Sequence, residues 1–594
     1  MKIAYLDGNR FYRALQVGGA AIIQNQKELD KINVFPVADA DTGLNLAQTI
    51  EAVLSRSEQK RGLKDTIILV ADSALMGARG NSGIILAQYL HGLRMELPDL
   101  SNVSAREFAE SAKRAVKHMY SSLMNPVEGT MITVLREWSE YLAEHSKQVG
   151  DFHHLLRTSL ETAKKSLRET PVKLEILAEA KVVDAGAKGI VYFLEAIVEY
   201  IEKGSVRQTN SIIPQMAIEE SSEVHSEAPK SHRYCIEAMY KLEQGELVDL
   251  KSHLTRLGDS LILAGAKDKT HIHIHSQRPD QVFGTLFDLG KVSSLKIDDM
   301  QRQYEISHAR KYKIGILTDS ACDLPDEIMD QYQIVRLALG INFGERFYLD
   351  RASITSSTFY NMLRTDPHHP VSSQPSPASI KAALLQLSEN YEKVIAIHLS
   401  NKLSGVYSGV AREIVASNLA NIHLVNSRQL SVTEGLIVLR LAQTIESGMP
   451  YEKIVALLES WCDNCKIYTD VNTLKYMVRG GRVPALTGFV AKVLNLKPIV
   501  SVDQSGKAEM MGKSFSRKGN MKKILLLVEK ELESRKIWNY AIVHADDPER
   551  AAEYAARLHA ITGKEPAYIM PLSPVVGVHN GIGAVAIGVL YEPD

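Results

Sequence analysis

The chain has 594 residues, 45% hydrophobic and 23% charged, with 69 Lys and Arg against 70 Asp and Glu. A net charge of −1 argues against a polyanion-binding protein, local basic patches aside, so no nucleic-acid partner is expected. Four cysteines are too few for a disulfide framework and point to a reducing, cytoplasmic compartment.

At roughly 100–200 residues per domain, the length predicts about three to five domains. Met1–Asp7 carries no signal-peptide apolar core. Helical periodicity predicts an all-α domain over residues 1–202, with Phe108, Ala112, Ala115 and Met119 on one face. Four polar or glycine-rich turns in it precede apolar helices. The first, residues 33–45, reads N-V-F-P-V-A-D-A-D-T-G-L-N. Asp39 and Asp41 there either converge on a hard cation such as Mg²⁺ or serve as solvated turn and cap residues. The second, G-A-R-G-N-S-G at 77–83, leaves backbone N–H groups free for phosphate oxygens, unless Asn81 or Ser82 caps the helix. Glu128–Met131 and Asp184–Gly189 are the third and fourth. Together the four suggest helix ends gathered into one site.

Residues 203–232, rich in Ser, Glu, Lys and Pro, read as a linker. Residues 233–306 read as a small α+β domain, with strands at Tyr234–Met239, Ser260–Ala264 and His271–His275 and helices near 246–257 and 280–289. His271, His273 and His275 alternate along one strand, so all three project from one face. With Cys235 they form either a Zn²⁺ site or a solvated face of tolerated polar residues. Cys462 and Cys465 form a C-x-x-C near a helix end, without a second pair. The expectation is two partly buried thiols rather than a redox or metal site.

From 312 to 594, apolar strands (Lys313–Leu317, Val394–His398, Ile422–Val425, Ala541–His544) alternate with helices, predicting a parallel α/β sheet. Thr318-Asp319-Ser320 and the run from His398 to Gly405 emerge at C-terminal ends of strands, where such sheets bind ligands. Ser372–Ser376 and Gly577–Gly581 add hydroxyls, an amide and an imidazole suited to a small anion. The apolar tract Pro571–Tyr591 contains His579-Asn580-Gly581 and reads as strand–turn–strand rather than a membrane span.

These motifs carry resemblances. The first ~200 residues resemble the dihydroxyacetone kinase ATP-binding domain, in the version that opens fatty acid kinases. That version reads N-V-F-P-V-P-D-G-D-T-G-T-N, matched here apart from Ala38, Ala40 and Leu44. The resemblance implies an all-helical barrel holding ATP and Mg²⁺. Asp39, Asp41 and Asn33 would be metal ligands, and Thr42, Asn45, Asn81, Ser82 and Gly83 would face phosphates. Thr130 and Met131 would lie on the nucleoside side, with Asp184 and Gly186 in the closing turn. Alanine at 40 is strained if that backbone needs positive φ. The alternative is therefore a non-catalytic fatty-acid-binding or regulatory protein with a weakened ATP domain.

Residues 233–306 resemble the fatty acid kinase middle domain, which supplies zinc ligands from Y-C-T-E and V-H-V-H-T segments. That implies Cys235, His273 and His275 as ligands, with His271 outside the pattern. Residues 312–592 resemble the DegV family. T-D-S-x-x-D-L-P is Thr318–Pro325, T-S-Q-P-S is Ser372–Ser376, S-S-x-L-S-G-T-Y is Ser400–Tyr407, K-G-G-R is Arg479–Arg482 and G-x-H-x-G-P-G is Gly577–Gly583. The family implies a two-subdomain α/β fold binding a long-chain fatty acid, its carboxylate held by Ser372, Ser373, Asn401, Ser404 and His579. Together the resemblances imply a fatty acid kinase fused to its carrier, forming an acyl phosphate for a phospholipid acyltransferase. They also imply a homodimer and at most peripheral membrane contact.

Overall fold

The computed structural model describes residues 3–35, 41–123, 126–203, 232–481 and 497–593. The expected linker, apart from its two end residues, lies outside the described residues, as do Ala38, Asp39, Ala40 and Arg482. The chain divides into two units, Met1–Tyr304 and Glu305–Asp594.

The first unit opens with a helical body. Its longer helices include Gly8–Gln24, Thr42–Arg56, Leu63–Gly77, Gly80–Glu96, Ala105–Ser122, Met131–His145, Phe152–Arg168 and Ala185–Lys203. Their apolar stripes meet in one core that includes Ile22, Leu46, Ile67, Ala112, Leu135 and Leu194. Local sequence starts these helices where expected: Ser104 and Glu107 form a reciprocal capping box at Ala105–Ser122. A ribbon of Tyr5–Asp7 paired antiparallel with Asn102–Ser104 is the only strand pairing within this body among the described residues.

The same unit continues into a four-stranded antiparallel sheet, ordered Asp259–Ala266, Lys269–Ser276, Tyr234–Leu242, Gly290–Asp299. Alternation gives it two faces. Ile236, Ala238, Leu261, Ile272 and Ile274 pack with Leu250, Leu254, Val282 and Phe283 from the helices Leu247–Leu254 and Pro279–Leu289. From the other face Ile262 and Ala264 enter the core of the helical body. Polar contacts join there too: Gly265 N donates to Gln88 Oε1 at 2.8 Å and Lys251 Nζ to the Leu123 carbonyl at 2.7 Å.

The second unit holds two principal sheets. One is parallel throughout, ordered Ile422–Asn426, Lys393–His398, Ile314–Asp319, Val335–Leu337. The other has six strands, ordered Ala508–Ser514, Lys497–Val502, Cys465–Asp470, Val585–Tyr591, Ile537–His544, Ile569–Pro571. It is antiparallel except for its last pair. The expected parallel sheet is therefore half the story. The tight turn at Gly506 (φ +83°) joins Lys497–Val502 to Ala508–Ser514, and a hairpin can only be antiparallel. A small third sheet pairs Gly340–Phe343 with Arg346–Leu349 and Val371–Ser373.

The C-terminal tract also departs from expectation. Pro574–Asn580 is a helix, followed by the strand Val585–Tyr591. Pro574 pre-sets the first helical turn, and Gly581, at φ +72°, ends it. Among the described residues no helix is long and apolar enough to cross a membrane. Cys462 closes the helix Tyr451–Asp463 and Cys465 opens the next strand, both buried. Burial pushes Cys462 up to about 12 and Cys465 well above its ordinary value, so neither is an activated thiolate.

Candidate functional site

Helix ends in the helical body bring most of the predicted nucleotide residues into two groups. In the first, Asn45 and Thr49 lie one turn apart on Thr42–Arg56 and face the start of Gly80–Glu96. A Cβ at Gly80 would collide with Asn45 Nδ2, and one at Gly83 with Thr49 Oγ1. Gly80 also has φ +53°, so that turn requires glycine twice over. Thr49 Oγ1 accepts from Arg79 N at 3.1 Å and donates to the Asn45 carbonyl at 2.6 Å. Asn81 Oδ1 is buried without a hydrogen-bond partner. Thr42 is buried in the first turn and Asp41 stands at the N-cap position, its side chain making no cap hydrogen bond; Asn33 is buried nearby in sequence.

Asp30, which sequence reasoning missed, accepts from the backbone N–H of Leu44 at 3.0 Å and from that of Gly43. Burial pushes its carboxyl up to about 6. It fixes the turn on which Asp41 stands. An acidic residue in the helix before the motif was the available signal.

The second group joins the starts of Met131–His145 and Ala185–Lys203. Asp184 accepts from Ala187 N at 2.7 Å and from the backbone N–H of Met131. Full burial pushes it up to about 6. A Cβ at Gly186 would lie 3.2 Å from Met131 Sδ, and Thr130 Oγ1 donates to the Val127 carbonyl at 2.9 Å.

Strand register places Cys235 opposite His275, Glu237 opposite His273 and Met239 opposite His271, on the face that meets the helical body. That burial removes the solvated alternative: His271, His273 and His275 are 4%, 2% and 9% exposed. The ligand atoms of Cys235, His273 and His275 lie within 4.8 Å of one another, and Cys235 Sγ is 3.8 Å from His273 Nδ1. A thiol and two imidazoles at that spacing suit Zn²⁺ and leave a fourth position open. Burial pushes His275 down to about 3 and His271 down to about 4, the neutral form that ligates metals. Burial also drives the Cys235 thiol well up, assisted by the carboxylates of Glu237, Asp298 and Asp41. The Nε2 of His273 is buried without a partner.

The second unit contains a cleft with a free volume of about 90 Å³. Its walls are mainly apolar, among them Leu339, Leu403, Ile467, Val500 and Val576, with Ser372, Ser404 and His579 on the lining. Ser372 Oγ and His579 Nε2 are 3.1 Å apart. Ser373 does not join them. It follows Ser372 on a strand and points the opposite way, where its Oγ fills the space a Cβ at Gly340 would need. Asn401 is exposed and off the lining, because the neighbouring Ser400 turns inward to donate to the Gly506 carbonyl at 2.7 Å. Sequence reasoning missed Ser431, a lining residue at φ +57°, whose only local signal was its place at the start of an apolar helix.

The fold and these sites define a multidomain chain with a kinase-type helical domain and a separate apolar binding cleft. Residues 36–199 match the model for the DAK2 domain, 231–307 that for the middle domain of fatty acid kinase-like proteins, and 313–592 that for uncharacterised proteins of the DegV family. The chain thus carries, in order, stretches similar to a DAK2 domain, a fatty acid kinase-type middle domain and a DegV-family domain. Protein YloV of Bacillus subtilis is 29% identical over 369 residues, 60% of this chain and 65% of YloV. Uncharacterized protein SSP1546 of Staphylococcus saprophyticus is 30% identical over 316 residues, 51% of this chain and 56% of that protein. The chain thus spans less than two thirds of either relative. Among solved structures, DegV, a fatty acid binding protein from Bacillus subtilis, is 28% identical with a TM-score of 0.44, covering 48% of this chain and 100% of its own. A fatty-acid-binding DegV family protein from Thermus thermophilus is 25% identical with a TM-score of 0.44, covering 47% and 100%.

Proposed function

We propose that this chain transfers the γ-phosphoryl group of ATP to a fatty acid carboxylate, giving an acyl phosphate and ADP. The observation that carries the reading is one chain holding both a glycine-lined pair of helix starts in a DAK2 domain and an apolar cleft edged by the Ser372–His579 pair. A carboxylate oxygen forms the new bond to γ-phosphorus as the bond to the β–γ bridging oxygen breaks. The carboxylate is already ionised, so no general base is needed and catalysis is positioning plus charge neutralisation.

Asp41, Asn33 and Asp39 are the proposed holders of Mg²⁺, which supplies charge neutralisation at the phosphates when bound. Thr42, Asn45, Asn81, Ser82 and Gly83 orient the phosphates. Thr130, Met131, Asp184 and Gly186 line the nucleoside side. Ser372, Ser404 and His579 hold the carboxylate end of the acid, and the apolar walls exclude water from its tail. Cys235, His273 and His275 hold Zn²⁺, which fixes the sheet face against the helical body. The acyl phosphate passes to a phospholipid acyltransferase.

The test is ATP turnover with oleate and palmitate, trapping acyl phosphate with hydroxylamine as the hydroxamate. Product from the native chain, lost in both Asp41→Ala and His579→Ala, is the expected result. Oleate binding without hydroxamate would instead leave a lipid carrier whose ATP domain is weakened.

A further inference from the structure

We propose that Glu237, a middle-domain residue, is a positioning residue for the nucleotide site, acting through Arg79 and Gly80. The inference rests on the reading of the 77–83 turn as phosphate-facing. Glu237 stands two residues from Cys235, so both project from the same sheet face. Its neighbours across the strands are His273 and Lys296. It is 6% exposed, and its carboxylate is shared between the helical body and His273 and Lys296 of its own domain. Oε1 accepts from Gly80 N at 3.3 Å and Oε2 from Arg79 Nη1 at 3.1 Å. Oε1 also lies 3.8 Å from His273 Nδ1.

Docking alone does not require this contact. Ile262 and Ala264 already bury the sheet in the helical core, and the Gln88–Gly265 and Lys251–Leu123 hydrogen bonds fix it. Glu237 addresses a single turn, the one where Gly80 takes φ +53° and has no room for a side chain against Asn45. A carboxylate there satisfies the first N–H of the helix Gly80–Glu96 and complements its positive end. It also orients Arg79, whose side chain remains 41% exposed. With Gly80 and Arg79 held before nucleotide arrives, less ordering is left for binding to impose. The strand that carries Cys235 of the zinc-type triad thus sets the shape of the phosphate-facing turn.

The test uses the full chain and a fluorescent ATP analogue with Mg²⁺, so it reads affinity without turnover. Glu237→Gln keeps the side chain's size and removes its charge. The expected result is an analogue Kd and an ATP KM raised about tenfold, the scale of a lost charge-assisted hydrogen bond. The fatty acid KM, bound zinc and melting temperature should stay as in the native chain. Arg79→Met, which leaves the sheet untouched, should give a similar loss, and the double variant should be little worse than either. Three outcomes overturn the proposal. Unchanged nucleotide affinity in Glu237→Gln would leave the nucleotide site standing without this residue. Equal losses in ATP and fatty acid constants, with zinc released, would make Glu237 merely structural. A native chain that binds no nucleotide would remove the underlying reading as well.

Discussion

The middle-domain triad and the C-terminal cleft both place histidine beside a small polar partner, but on opposite plans. In the triad, three donors lie within 4.8 Å of one another, both imidazoles buried and Cys235 half-buried. In the cleft, one Ser372–His579 pair at 3.1 Å edges a mainly apolar lining. The first is a point site, where convergence of donors is the whole of the binding. The second is an extended site. There each buried methylene contributes roughly 0.8 kcal/mol, and the polar pair chiefly decides which end of the ligand sits where. Removing one donor should therefore collapse the first site and only trim the second.

The largest expected effect is at the triad. Cys235→Ser should abolish bound zinc, as elemental analysis of the purified chain would read, and should lower the melting temperature by roughly 10 °C or more. Structural zinc contributes on the order of 10 kcal/mol where it is integral to a small domain. A chelator should reproduce the shift in the native chain. Retention of both metal and melting temperature would break the comparison, because the donors would then be ordinary packing.

Next comes a titration beneath the cleft. Asp350 Oδ1 accepts from Val575 N at 3.2 Å, in the helix that carries His579. Full burial pushes its carboxyl from 3.8 up to about 7. A raised folded value means the folded state keeps the proton longer than the unfolded chain. The stability this gives is full below about pH 4, falls as pH rises to about 7, and is gone above it. The slope is about 1.4 kcal/mol per pH unit for one group. Asp350→Asn keeps the acceptor and should melt above the native chain at pH 8 while losing that advantage near pH 4. A uniform shift at both pH values would argue against a protonated Asp350.

The alanine test at His579 follows. His579→Ala should raise the oleate Kd about tenfold, the scale of one hydrogen bond to a charged group. Shortening the acid by two methylenes should cost about as much again. A flat dependence on chain length would reverse the assignment of the cleft as an extended site.

Much of this was legible in the sequence, for identifiable reasons. Local features came through: glycines at 80 and 83, the alternating histidines and the Ser-rich strand ends each announce themselves within a few residues. Long-range geometry did not. The Glu237–Gly80 contact joins residues 157 apart, and nothing in either segment names the other. Apolar strand runs reveal strands but not their direction, so a mixed sheet read as parallel. The tract from Pro571 read as a hairpin because its apolar residues outweighed the helix-starting Pro574. Burial of the histidine face depended on a neighbouring domain, which alternation within one strand cannot register.

The finest distinction is between adjacent serines. Ser372 and Ser373 were grouped by sequence, but strand alternation sends their side chains to opposite faces, one toward His579 and the other toward Gly340. Ser372→Ala should weaken oleate binding by roughly fivefold, about 1 kcal/mol for a neutral hydrogen bond. Ser373→Ala should change it by less than about twofold, as should Asn401→Ala, since changes away from a site typically stay within about 0.5 kcal/mol. Displacement of a fluorescent fatty acid from each purified variant separates the three. Equal losses at 372 and 373 would mean that the ligand's polar end reaches around the strand, and the cleft would no longer be the one-sided site that sets it apart from the triad.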